Sequence, residues 1–116
     1  MNIKNLKLLA MEVVSMFPKS KMQEPFLTLK NNRKLFFNIF IKKYGIDGTS
    51  TKYSDSDISR RIRLIECFDF FTTQYDVEYQ RMEKNKHYYK IETKFYRLVF
   101  FEKRNKKLEC ISFYPK

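Results

Sequence analysis

The sequence predicts an α+β fold: about three N-terminal helices followed by a C-terminal antiparallel sheet with a terminal hairpin. Three observations carry that reading. Apolar residues recur at helical spacing in three segments of the first two thirds of the chain. From Tyr88 onward the pattern becomes aromatic and β-branched with period two, which fits a pleated, half-buried surface. The charged stretch Lys103-Arg-Asn-Lys-Lys107 then separates the last two apolar runs as a hairpin loop would. The 116 residues make one domain, 1–116, and a hydrophobic content of 43% excludes wholesale disorder. Twelve Phe and eight Tyr, with no Trp, predict an aromatic core. Two Gly and three Pro predict long elements and short loops.

Residues 3–17 place Ile3, Leu6, Ala10, Val13, Val14 and Phe17 on one helical stripe, and Pro18 ends it. A connector containing Pro25 covers 19–27. Thr28–Tyr44 reads as a second helix, with Leu35/Ile39 and Phe36/Phe40 at i, i+4 and Gly45 as its stop. Phe37 and Ile41 widen its apolar surface, so it is heavily buried or faces a partner. After a loop around Gly48, Ser54-Asp-Ser-Asp is a strong helix start. The third helix spans about 55–71, with Ile58, Ile62, Ile65 and either Phe68 or Asp69 on one face. Arg60, Arg61 and Arg63 read as a solvated, internally paired cluster, with Arg61 able to pair with Asp57.

Residues 75–84 alternate loosely and read either as a first strand or as a continuation of the helix. In the next strands Tyr96, Leu98 and Phe100 share one face, and Phe95, Arg97, Val99 and Phe101 the other. Apolar residues on both faces predict a central strand, covered by helices on one side and partly by something else on the other. Asn105 is the expected positive-φ residue of the hairpin loop.

Lys plus Arg number 24 against 13 acidic residues, a net charge of +11. Residues 1–45 carry net +7, 46–83 net −3 and 84–107 net +7. Two basic blocks around an acidic middle predict a positive face that attracts nucleic acid or another anionic surface. Seventeen of the basic residues are Lys and seven Arg, so AT-rich coding supplies a rival source for part of that charge.

Cys67 and Cys110 stand far apart without metal-ligand spacing and read as small core residues. No zinc site, cofactor motif, signal peptide or membrane helix is legible, so a cytoplasmic location with reduced thiols is the expectation. Two glycines exclude a Gly-rich phosphate loop, and one histidine gives no basis for a catalytic triad.

One reaction class survives these exclusions. Cleaving RNA by internal attack of the 2′-hydroxyl needs a proton acceptor, phosphorane stabilisation and a proton donor, but no metal. His87, Lys90, Thr93, Lys94, Arg97 and Tyr114 are the candidates. His87 alone titrates near neutral pH when unperturbed, and Arg97 offers a guanidinium fork to a phosphate. Lys86, Lys94, Lys103, Arg104, Lys106 and Lys107 are the candidate nucleic-acid contacts.

The pattern Tyr96-Arg97-Leu98-Val99, a charged turn, then Ile111, Phe113, Tyr114 and Lys116 resembles the small RelE/ParE toxins. More broadly it is similar to the barnase–EndoU–colicin–RelE group of nucleases. The likeness covers about residues 86–116, roughly a quarter of the chain. It implies a metal-independent, cofactor-free ribonuclease from a toxin–antitoxin or mobile-element setting, with His87, Lys90, Thr93, Arg97 and Tyr114 as its dispersed catalytic residues. It also implies an acidic protein partner such as an antitoxin. Three N-terminal helices and the connector containing Pro25 depart from the family's pattern. Two other classes stand beside this one: a non-enzymatic nucleic-acid-binding module, RNA before DNA, and a phage or plasmid inhibitor that grips an acidic protein.

Overall fold

Asn2 opens the first helix by accepting the Asn5 backbone N–H on its side chain at 2.9 Å. The structure, a computed structural model, describes residues 2–116. Helix α1 spans Ile3–Ser15. Ala10, Val14 and the following Phe17 are buried, with Ile3, Leu6 and Val13 packed partly against the core, as the stripe predicts.

The second helix is a correction. Strand β1 covers Phe26–Thr28 and strand β2 Lys34–Phe36, and only Asn38–Lys43 is helical, as α2. Leu27, Leu29, Leu35 and Phe37 are all buried while the residues between them are exposed or half-buried. That period of two can bury all four only on a hairpin. Leu29 N–H donates to Arg33 O at 2.8 Å, and Asn32 takes φ 71° inside the turn. Phe40 and Ile41 do sit on a buried helical face. Gly45 stops that helix at φ 64°, where a Cβ would come within 2.7 Å of Thr49 O.

Ser54 caps helix α3, Asp55–Ile62, by accepting the Asp57 N–H at 3.2 Å. The expected single helix to residue 71 is broken. A 3-10 turn at Ile65–Cys67 intervenes before helix α4, Phe68–Gln74. With three residues per turn, the 3-10 segment lines up Ile65 and Phe68, and both are buried together with Ile58 and Ile62. The elements are therefore shorter than the scarcity of Gly and Pro implied. Arg61 is a further correction. It donates to Phe113 O at 3.5 Å and stacks on the Tyr114 ring at 5.1 Å, reaching the sheet instead of Asp57.

Strands β3 (Glu78–Glu83), β4 (Lys86–Glu92), β5 (Tyr96–Glu102) and β6 (Leu108–Pro115) complete the fold, so the alternation near residue 80 is a strand. Lys84 and Asn85, at φ 50° and 63°, make the tight β3–β4 turn. In the β5–β6 hairpin Lys106, not Asn105, takes the positive φ of 70°. Asn105 instead accepts the Lys107 N–H on its side chain at 3.0 Å. The sheet order is β1-β2-β6-β5-β4-β3. All neighbours are antiparallel except β2 and β6, which run parallel. The fold is α+β, with a hairpin inserted ahead of α2.

The helices cover one face of the sheet, where Phe68 packs against Phe113, Phe40 and Phe37 at 4.8, 5.6 and 6.0 Å between ring centres. Strand β2 pairs with β6 only at Leu108 and Glu109. Beyond that point Lys43 donates to Ile111 O at 3.0 Å and Arg61 to Phe113 O, so two basic side chains blunt the β6 edge.

Candidate nucleic-acid interface

The strand register places Phe26, Phe36, Glu109, Phe101, Tyr88 and Arg81 in one row across all six strands. Paired residues share a face. This row lies opposite the helices, because Leu98, Phe100, Cys110 and Phe113 occupy the helix-facing side. Val99 and Phe101 are buried yet lie outside the helix-side core cluster. The covering expected on that second face is a layer of long side chains. Each of the four rings in the row carries a cation. Lys34 lies 4.6 Å from the Phe26 centroid and Lys107 4.4 Å from Phe36. Lys86 lies 4.8 Å from Phe101, and the Arg81 guanidinium 4.6 Å from Tyr88.

Glu109 interrupts the rings for a structural reason. It is 1% exposed and accepts from Asn38 Nδ2 at 3.0 Å and Ile39 N–H at 3.4 Å, with Lys107 Nζ at 3.6 Å. It therefore ties the start of α2 to the sheet.

At the β1–β2 end of the row a cleft of about 550 Å³ opens between the Ser20–Glu24 loop, β2 and the β5–β6 hairpin. Lys21, Arg33, Lys34, Lys106 and Lys107 line it, with Phe36 on its wall and Glu24 as its one carboxylate among the described residues. Two of these cations are positioned by the fold. Arg33 donates to Glu102 and to Lys106 O, both at 2.8 Å. Lys107 donates to Glu24 at 2.7 Å, and that hydrogen bond foremost holds the Glu24 carboxyl below its ordinary range. Lys21, Lys34 and Lys106 are exposed, Lys34 over Phe26 and Lys106 at 4.0 Å from Glu102, and can swing toward an anion.

At the other end of the same face, Glu92 sits among Arg97, Lys116 and Lys90. Arg97 Nε donates to it, Lys116 Nζ is 3.3 Å away and Lys90 Nζ 3.6 Å. Arg97 also donates to Tyr114 Oη at 3.1 Å. The Arg97 hydrogen bond foremost lowers the Glu92 pKa, and the Tyr114 and Glu92 contacts raise that of Arg97. Lys90 also reaches Glu78 at 3.8 Å, so every cation of this corner has a carboxylate partner although the corner stays net positive.

The structure thus gathers three of the five candidate catalytic residues, Lys90, Arg97 and Tyr114. His87 lies apart. It pairs in register with Met82 and Glu102, on the face opposite Lys90, and contacts Tyr79 Oη through Nδ1 at 3.2 Å. Thr93 accepts the Phe95 and Tyr96 N–H groups on its hydroxyl at 3.2 and 3.0 Å, a turn-forming role. Of the candidate binding residues, Lys106 and Lys107 line the cleft, and Lys103 and Arg104 are exposed in the adjoining hairpin tip. Lys86 stands over Phe101, and Lys94 rides on the exposed Phe95 ring at the far turn. Lys21, Arg33, Lys34, Phe26 and Phe36 were not legible as site residues, because 19–27 reads as a bare connector and 28–44 as a helix. The signal that finds them is the Leu27/Leu29 and Leu35/Phe37 alternation around Lys30-Asn-Asn-Arg33.

Among the described residues, no group of three or more His, Cys, Asp or Glu side chains is arranged to hold a metal ion. Nor is any helix among them long and apolar enough to cross a membrane. No family model, curated protein or solved structure matches the chain.

Proposed function

We propose that this protein binds single-stranded nucleic acid, RNA before DNA, on the open face of its sheet without needing to cleave it. The observation that carries the reading is the row of cation-topped rings leading into a cleft with five cations and one carboxylate. Phosphates would enter the cleft and bases would stack on Phe26 and Phe36, the Lys34 ammonium moving from Phe26 to a neighbouring phosphate and Lys107 exchanging its Glu24 contact for one. Base–aromatic stacking contributes about 1–3 kcal/mol per base and tolerates any sequence. The two free thiols suit a reducing compartment, and the cytoplasm is where we place the activity.

Fluorescence anisotropy with a labelled oligouridine of about 12 nucleotides, within the usual site size, tests this. Phe36→Ala should weaken binding about tenfold, the effect of losing one stacked base, whereas Phe95→Ala, at the remote β4–β5 turn, should not. Equal affinity of wild type and Phe36→Ala would remove the ring row from the interface.

A second reading, the metal-independent cleavage implied by the resemblance to RelE-like toxins, draws on the Lys90–Glu92–Arg97–Tyr114 corner. An ionised carboxylate beside a guanidinium is a base next to a phosphate ligand. Against it, His87 is on the other face. Product analysis in EDTA separates the readings: 2′,3′-cyclic ends that vanish in Arg97→Ala would make the protein a nuclease.

A further inference from the structure

We propose that the groove along the outer side of α1 docks an acidic amphipathic helix of a partner protein. Two adjoining hollows of about 330 and 320 Å³ share Met11 and Asp47 and run between α1 and the segment from α2 to Gly48. Their floor is apolar. Leu8 and Met11 of α1, 62% and 39% exposed, face Ile41 and Ile46 across it. Large side chains left in water along one groove are what a helix-in-groove contact uses. α1 has 13 residues, so its side is about 20 Å long, room for roughly 13 residues of a second helix.

Charge chooses the occupant. Lys4, Lys7 and Lys42 rim the groove and make no ion pair among the described residues, against Asp47 as the one carboxylate. Glu or Asp flanking Leu or Ile at i, i+3 and i+7 would meet both features. Nucleic acid fits less well, because no aromatic ring lines the groove for a base to stack on. A second copy fits less well too, since net +11 opposes self-association. The groove shares no lining residue with the sheet-face cleft, so it stands independently of that reading.

The test uses the full chain and a fluorescein-labelled helical peptide of about 14 residues, matched to the groove, with Leu at i, i+3 and i+7 and Glu elsewhere. The wild type should bind it, more weakly as salt rises. Leu8→Ser/Met11→Ser should bind about tenfold less tightly, with its melting midpoint and its oligouridine affinity unchanged. No binding of the peptide by the wild type, or equal binding by the double variant, would overturn the proposal. So would loss of oligouridine binding in the double variant, which would make the groove a nucleic-acid surface. A wild-type dimer that the double variant converts to monomer would overturn it as well, by assigning the groove to a second copy.

Discussion

Glu92 and Glu109 are both carboxylates on the open face, and they do different work. Glu109 is buried with three partners, and Glu109→Ala leaves the Ile39 N–H without an acceptor, while Asn38 and Lys107 keep only Glu24. Denaturant unfolding should show a loss of about 1–3 kcal/mol, the cost of stranding buried donors; an unchanged midpoint would mean that water replaces the carboxylate freely. Glu92 is held below its ordinary pKa of 4.5, first by Arg97. The unfolded state therefore binds the proton first on acidification. The stabilisation is complete above about 4.5 and is lost as pH falls through the folded value. Melting curves across pH should show Glu92→Gln less stable than wild type at neutral pH, with the gap closing in acid. A gap independent of pH would show that the Arg97 contact does not depend on the charge. Sequence reading grouped Lys90, Arg97 and Tyr114 by side-chain chemistry and resemblance, and the strand register is what brings them together. It grouped His87 with Lys90 although the two are three residues apart, an odd number that one strand sends to opposite faces.

At the scale of elements, what was legible depended on whether periodicity was unambiguous. The α1 stripe, the Ser54 cap and the β5–β6 hairpin were plain, because each has a single reading. Residues 28–44 had two. Leu35/Ile39 and Phe36/Phe40 satisfy helical spacing, while Leu27, Leu29, Leu35 and Phe37 satisfy a hairpin. The hairpin is formed because it adds strands to the sheet and buries all four apolar side chains, a gain that arises only once β6 is in place. The break between α3 and α4 has the same origin in tertiary packing. The β3–β4 turn holds two non-glycine residues at positive φ. Replacing Lys84-Asn85 by Asn-Gly, the preferred pair for such a turn, should stabilise the protein by about 0.5–1 kcal/mol. Thermal melts decide it, and a lower midpoint would mean that those side chains contribute contacts beyond the turn.

For the molecule as a whole, the net charge of +11 could have been spread evenly, and at the Glu92 corner each cation is paired with a carboxylate. Five cations line the cleft at the β1–β2 end, where Arg33 and Lys107 are paired with Glu102 and Glu24 while Lys21, Lys34 and Lys106 reach outward. The sequence pointed to the hairpin lysines of this cleft but not to its β2 wall, which lies about 70 residues away in the chain and was hidden in a misread helix, nor to the Ser20–Glu24 loop, read as a connector. The salt dependence of oligouridine binding tests this account most directly. For single strands log K falls with log salt at about 0.7 per phosphate neutralised. Lys34→Gln/Lys106→Gln should therefore make the slope shallower by about 1.4, while Lys52→Gln/Lys94→Gln, outside the cleft, should leave it unchanged. The same slope in both double variants, or no binding at low salt, would contradict the claim that the cleft holds the phosphates.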